Sequence, residues 1–167
     1  ISFENNTFVA VSNSGSIRTS TNGVSWSSSN KGNVDLMGAA FGNNTFVLVG
    51  KTGKVLTSGN GTTWTSTTGS GQESGQSKTL EDVTYGNNTF VAVGDSGTIL
   101  TSTNGTSWTN RTPTGFSTTI NGITYGNSTF VAVAAGGKIL TSTNNGASWE
   151  IQTSTTTTTS LPLYDVI

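Results

Sequence analysis

A block ending in tryptophan recurs four times along this chain, and it leaves room for little other than a repeat architecture. GSIRTSTNGVSW closes at Trp26, GKVLTSGNGTTW at Trp64, GTILTSTNGTSW at Trp108 and GKILTSTNNGASW at Trp149. A second block precedes each of these: ISFENNTFVAV from Ile1, AAFGNNTFVLV from Ala39, VTYGNNTFVAV from Val83 and ITYGNSTFVAV from Ile123. Successive tryptophans stand 38, 44 and 41 residues apart. That period is too long for a β-helix with one turn per rung and fits a blade of four short strands. The expected fold is therefore all-β, a β-propeller of four-stranded antiparallel blades with four sequence repeats, either complete or part of a larger or oligomeric ring.

Each unit supports the strand reading on its own. Leu80, Val83 and Tyr85, or Ile120, Ile123 and Tyr125, mark a first strand, and Gly-Asn-Asn or Gly-Asn-Ser supplies a hairpin turn that tolerates positive φ. The second strand, Thr89 to Val93, is apolar on both faces, as a strand covered from two sides must be. Gly94-Asp95-Ser96-Gly97 makes the next turn and Thr98 to Ser102 the third strand. A tight turn at Asn104-Gly105 leads to a short fourth strand after Trp108. No segment has a helical apolar period.

Only 31% of the residues are hydrophobic, so one sheet alone cannot bury enough surface to fold. Sheets stacked face to face let Phe8, Phe46, Phe90 and Phe130 and the paired valines bury against adjacent units. The abundant threonine is β-branched and suits extended backbone even where it faces water. The organisation expected is four repeats over residues 1–153, a Thr-rich connector over 154–162, and a strand over 163–167 that completes or starts a further blade. The segment 68–78, TGSGQESGQSK, reads as a loop.

The composition also excludes functions. With neither His nor Cys, the chain has no disulfide, thiol or imidazole chemistry, and the commonest zinc and iron ligands are missing. A formal net charge of -1 without a basic run speaks against a nucleic-acid partner. No stretch approaches the roughly 20 apolar residues needed to span a bilayer as a helix, so no membrane insertion is expected. Absent thiols and many hydroxyl side chains fit an extracellular or cell-surface module.

The tryptophan blocks resemble the Asp-box (BNR) repeats of bacterial β-propellers, whose pattern is Ser-x-Asp-x-Gly-x-x-Trp. Ser142-Thr143-Asn144-Asn145-Gly146-Ala147-Ser148-Trp149 matches that spacing with Asn in place of Asp, and the first three units are one residue shorter. The resemblance covers residues 1–151 and implies a structural turn. Asn22, Asn60, Asn104 and Asn144 would accept backbone hydrogen bonds. Gly23, Gly61, Gly105 and Gly146 would take a conformation that other residues avoid, and Trp26, Trp64, Trp108 and Trp149 would pack beneath the turn. Some propellers with such boxes are sialidases, which use an arginine triad; this chain has only Arg18 and Arg111.

No catalytic residue is expected. Glu4, Glu73, Glu81, Glu150, Asp35, Asp82, Asp95 and Asp165 are the nominal carboxylates for glycosidase chemistry, and none recurs so as to mark a site. No cofactor or metal is expected either, because the positions aligned with Asp95 are Asn13, Lys51 and Ala135. Seven N-x-S/T sequons fall mostly at turns that need Asn, Gly and Thr for geometry, so they do not imply glycosylation. The leading reading is a non-catalytic extracellular binding or adhesion module, with carbohydrate the first ligand class to test and a glycan or surface protein as partner. Its candidate loops are Ser27 to Asp35, Thr68 to Lys78 and Asn110 to Thr119, with Arg111 and Phe116 as the ligand-binding side chains. Two alternatives stay open: a structural scaffold or assembly module built from recently duplicated or designed repeats, and a glycosidase-related fragment. The terminal phasing leaves a homo-oligomer, missing flanking blades and a small closed ring as separate outcomes.

Overall fold

Residues 1–68, 78–152 and 161–167 are described by the computed structural model. Residues 154–160 of the expected connector at 154–162, and nearly all of the loop at 68–78, lie outside them; residues 161–167, where a strand is expected from 163, carry no strand. The fold is an all-β propeller array of four antiparallel four-stranded sheets, one per repeat, each laid out in chain order. Blade 1 holds β1 (Ser2–Glu4), β2 (Thr7–Val11), β3 (Ser16–Ser20) and β4 (Ser27–Asn30). Blade 2 holds β5 (Leu36–Gly42), β6 (Thr45–Gly50), β7 (Lys54–Ser58) and β8 (Thr65–Thr68). Blade 3 holds β9 (Leu80–Gly86), β10 (Thr89–Gly94), β11 (Ile99–Ser102) and β12 (Thr109–Asn110). Blade 4 holds β13 (Ile120–Gly126), β14 (Thr129–Ala134), β15 (Lys138–Ser142) and β16 (Glu150–Gln152). Among the described residues no helix is long and apolar enough to cross a membrane.

The Asn-Asn turns behave as their chemistry requires. Asn87 and Asn88 both take positive φ, 42° and 61°, and the matching pairs in the other blades do the same. Two successive positive φ values give the two-residue hairpin whose twist matches that of its strands, and Asn tolerates them better than most side chains.

The hydrophobic core lies between blades. Along β6, Phe46 and Leu48 face blade 1, where they join Val9 and Ile17. Val47 and Val49 face blade 3, where they meet Phe90, Ala92, Leu100 and Trp108. The same division sends Val91, Val93 and Ile99 against Phe130, Ala132, Leu140 and Trp149 of blade 4. Phe46, Phe90 and Phe130 are essentially inaccessible to solvent, which for each contributes on the order of 1.5–3 kcal/mol relative to exposure.

Successive first strands also interlock through glycine. A Cβ built on Gly42 would lie 2.1 Å from the ring of Tyr85, and one on Gly86 2.0 Å from the ring of Tyr125. Each tyrosine therefore rests flat on the backbone of the preceding blade while packing on its own phenylalanine, at 4.6 Å between centroids for Tyr85–Phe90 and for Tyr125–Phe130. The glycines are needed for this close approach and not for an unusual φ.

Gly86→Ala should lower the unfolding free energy in urea by about 1–3 kcal/mol through overpacking, and Phe90→Ala by about 3–5 kcal/mol through the cavity it opens. Both are read from the shift in denaturation midpoint.

Candidate functional site

The tryptophan blocks form turns whose polar side chains are spent on their own backbone. Ser102 Oγ accepts from the amides of Asn104 and Gly105 at 3.2 and 2.8 Å and donates to Asn104 Oδ1 at 3.1 Å. Asn104 Oδ1 accepts in turn from Thr106 and Ser107, both at 2.9 Å. Trp108 Nε1 closes the turn by donating to the Gly105 carbonyl at 3.0 Å. Ser20 with Asn22 and Ser58 with Asn60 repeat the side-chain part. Gly23, Gly61, Gly105 and Gly146 all take φ between 70° and 74°. The longer fourth turn absorbs its extra residue at Asn145, φ 62°, and keeps the bond from Ser148 to Asn144 Oδ1 at 3.0 Å. Trp26 and Trp149 donate to Gly23 and Gly146 like Trp108, whereas Trp64 Nε1 is buried without a partner. Trp64, Trp108 and Trp149 are buried and Trp26 is partly exposed.

Arg111 and Phe116, paired by the sequence reading, are separated. Arg111 is exposed and lines an open cleft of about 410 Å³ between blades 3 and 4 with Thr89, Thr101, Thr109, Asn144 and Asn145. Phe116 is only 6% exposed and belongs to the core between those blades. Its ring presses on Gly97, and Lys138 Nζ sits 5.3 Å from its centroid. It is therefore a core residue and not a platform for ligand stacking. Of the candidate loop from Ser27 to Asp35, the first four residues form β4 instead. Asp35 there pairs with Lys51 at 2.6 Å and accepts the Ser14 amide at 2.9 Å, and these partners hold its carboxyl below the usual carboxylate range.

A second site, which sequence reasoning missed, lies where the first strands converge. In β5, β9 and β13 the pairing to the second strand slips by one residue. Leu36 faces Gly50 and Gly38 faces Val49, which leaves Met37 as the extra residue. Glu81 and Asn121 hold the same place in blades 3 and 4. Such bulges re-aim a side chain out of the ladder. Here they turn Met37, Glu81 and Asn121 toward one cavity of about 390 Å³, shared with Ile1, Asp82, Tyr164 and Asp165.

The floor of that cavity is tied down by carboxylates. Asp82 Oδ1 accepts the Val83 amide at 2.8 Å, and Oδ2 crosses to the Ile123 amide of blade 4 at 2.9 Å. Asp165 Oδ1 accepts the Val166 amide at 2.8 Å in the same manner, and Asn121 Nδ2 donates to the Leu163 carbonyl. Burial pushes the Asp82 carboxyl above the ordinary range, the two amides oppose it, and the charge of Asp165 adds to the rise. Burial and the charge of Asp95 likewise raise Glu81, with Lys51 acting the other way. The Glu81 side chain makes no hydrogen bond among the described residues. The cavity thus offers one uncommitted carboxylate, one amide, a thioether and a phenol, which can hold a ligand but form no evident acid–base pair. Among the described residues no cluster of carboxylates could hold a metal ion.

The signal for this site was present in the aligned repeats. Leu36-Met37-Gly38, Leu80-Glu81-Asp82, Ile120-Asn121-Gly122 and Leu163-Tyr164-Asp165 keep their first residue apolar and their third Gly or Asp, while the middle one changes every time.

The model of the DUF6242 beta propeller domain matches residues 39–167. No curated protein matches the sequence. Among solved structures, the chain is similar to YCF48 bound to D1 peptide, with TM-score 0.71 and 15% identity over 94% of this chain and 53% of that one. It is similar to a catalytically inactive virginiamycin B lyase from Staphylococcus aureus with quinupristin, with TM-score 0.75 and 15% identity over 94% and 57%. The computationally designed Ika8 protein matches with TM-score 0.71 and 16% identity over 98% and 50%. The chain spans about half the length of these propellers, and at such identities the likeness is one of fold.

Ser102→Ala should cost about 1–3 kcal/mol, because it leaves the buried Gly105 amide without an acceptor. Thermal unfolding of the variant beside the exposed control Ser107→Ala reads the difference.

Proposed function

The chain belongs to the family of the DUF6242 beta propeller domain, and we propose that it is a non-catalytic binding module for an extended, positively charged peptide segment of a protein partner. The observation that carries this reading is the group formed at the axis by the three bulge residues and Tyr164. In a chain whose repeats are otherwise nearly uniform, Met37, Glu81, Asn121 and Tyr164 are four different side chains brought to one cavity. Glu81 would take a lysine or arginine of the peptide, the Asn121 side-chain oxygen would accept a peptide amide, and Met37 and Tyr164 would cover the apolar part between them. YCF48, a propeller of similar fold, was solved with a bound peptide, which supports the ligand class. The hydroxyl-rich, thiol-free composition supports an extracellular or cell-surface setting.

A second reading keeps the carbohydrate ligand of the sequence analysis and moves it to the Arg111 cleft. That cleft is lined by threonine hydroxyls and Asn amides, groups that match sugar hydroxyls. Its turns are those that resemble Asp-box repeats. The buried Phe116, Trp108 and Trp149 give this cleft no aromatic face, which favours the axis.

Isothermal titration with three peptides of one length, cationic, neutral and anionic, decides between the readings. The cationic peptide should bind tightest, and Glu81→Gln should weaken it by about tenfold or more, the worth of one charge-assisted hydrogen bond. Because the carboxyls of Glu81 and Asp82 are raised above the ordinary range, they take up protons earlier than usual as the pH falls. Affinity for the cationic peptide should therefore begin to decline at a higher pH than the one at which exposed carboxylates titrate. Equal binding of all three peptides would overturn the axis reading, and a glycan that binds the native chain but not Arg111→Ala would establish the cleft.

A further inference from the structure

We infer that the outer cleft between blades 3 and 4 holds the acidic group, carboxylate or sulfate, of an anionic saccharide through Arg111 and Asn145. The inference rests on the carbohydrate reading of that cleft and names the class of sugar. It is independent of the peptide reading at the axis.

The same cleft is built twice, and only one copy carries a charge. Between blades 1 and 2 an opening of about 330 Å³ is lined by Thr7, Thr19, Thr21, Ser25, Ser27 and Asn60. Their counterparts in the repeat, Thr89, Thr101, Thr103, Ser107, Thr109 and Asn144, line the opening of about 410 Å³ between blades 3 and 4. Ala147 replaces Thr62 in the second opening, and Arg111 and Asn145 are added to it. The blade 1–2 cleft is thus a natural neutral copy of the charged one.

Both additions are departures from the repeat, and they come from different blades. The Arg111 amide donates to the Ile99 carbonyl at 2.8 Å, as a residue paired with that strand position does. In the other units the residue opposite the same position is Ser29 against Ile17, Thr67 against Val55 and Gln152 against Ile139. The outer residue therefore changes in every unit while the inner one stays Ile or Val. Residues two apart on a strand share a face, so Arg111 reaches the cleft beside Thr109, and Ser29 shares the face of Ser27 in blade 1.

Asn145 enters from the opposite wall. It is the residue by which the fourth tryptophan turn exceeds the other three, and it takes φ 62°. Asn87 of blade 3 donates through Nδ2 to Asn145 Oδ1. The oxygen of that carboxamide is thereby engaged, and its Nδ2 hydrogens are what Asn145 offers to a ligand.

The electrostatics of the cleft favour an anion. Among the described residues no carboxylate lines it, and the Arg111 side chain makes no hydrogen bond or ion pair. Lys51, by contrast, is paired with Asp35, and Lys138 donates to Thr118 while lying over Phe116. A guanidinium presents a planar fork of donors that matches two oxygens of a carboxylate or sulfate. The hydroxyls along the rest of the cleft both donate and accept, as the hydroxyls of a sugar do. Arg111 with the Asn145 amide supplies the one place where donors alone face the ligand.

Isothermal titration of the 167-residue chain with trigalacturonate, neutral galactotriose, a sulfated chondroitin disaccharide and inorganic sulfate tests the assignment. An acidic saccharide should bind about tenfold or more tighter than galactotriose, and the margin should shrink as salt is raised. Whichever of the two acidic sugars binds tighter identifies the anion as carboxylate or sulfate. Arg111→Gln should remove the margin with an unchanged thermal midpoint, because the side chain is exposed. Asn145→Gly, which suits the positive φ, should reduce it, and Glu81→Gln at the axis should leave it as it is. Acidic and neutral sugars that bind alike, with Arg111→Gln without effect, overturn the inference and leave the carbohydrate reading in place. A chain that binds no saccharide overturns both. Acidic-sugar binding that survives Arg111→Gln places the ligand elsewhere and overturns the inference, as does inorganic sulfate that binds as tightly as the sulfated disaccharide. So does an anionic peptide that binds through Arg111 more tightly than either acidic sugar.

Discussion

Burial between neighbouring sheets is the interaction on which everything else in this molecule depends. No blade has an inside of its own, since the second and third strands point one set of side chains at the blade before and the other set at the blade after. Phe46 and Leu48 are meaningless to blade 2 without Val9 and Ile17, and Val47 and Val49 without Phe90 and Trp108. Stability in such an array is close to a sum over neighbouring pairs. The end blades therefore hold only half of what the inner ones hold, as the partial exposure of Phe8, Trp26, Val131 and Ile139 beside their buried counterparts shows.

This dependence explains how a chain so rich in Ser, Thr and Asn avoids disorder. The polar residues are placed where they relieve the backbone of its unpaired donors. One serine and one asparagine satisfy four amides in each of the first three tryptophan turns, and the Asn-Asn hairpins accept a twist that apolar residues would resist. With the backbone settled locally, the few apolar residues are all available for the faces between blades. Composition alone points toward disorder, and only the period of the sequence shows that the polar residues have fixed structural places.

The same period made most of the fold legible and hid part of the site. Strand order, hairpin turns and the buried tryptophans follow from aligning four copies, because each position is tested four times. Phe116 has no counterpart in the other units, and a lone aromatic in a variable loop reads as a binding residue when it in fact plugs the gap over Gly97. Met37, Glu81 and Asn121 were harder to see because a bulge favours no residue type; the sequence marks it only by a middle residue that changes between constant flanks, and the geometry by a register slip between paired strands. Glu81 and Asp82 stand in the sequence only among the nominal carboxylates, whereas the structure sends one to the cavity and the other to two backbone amides at its rim.

Constancy and variation thus carry different information in a repeat protein. A residue kept in every unit, such as the turn glycine or the core phenylalanine, answers to the interface that all blades share. A residue that changes while its flanks do not is released from that interface and can answer to something outside it. By this criterion the bulge positions are released from packing on the first strands, yet the topology brings them to one cavity. A propeller concentrates at its axis one side chain from every blade without requiring the blades to differ elsewhere. A nearly uniform array can therefore acquire a specific site by substitution at one position per repeat, with the glycine-seated tyrosines and buried phenylalanines left untouched.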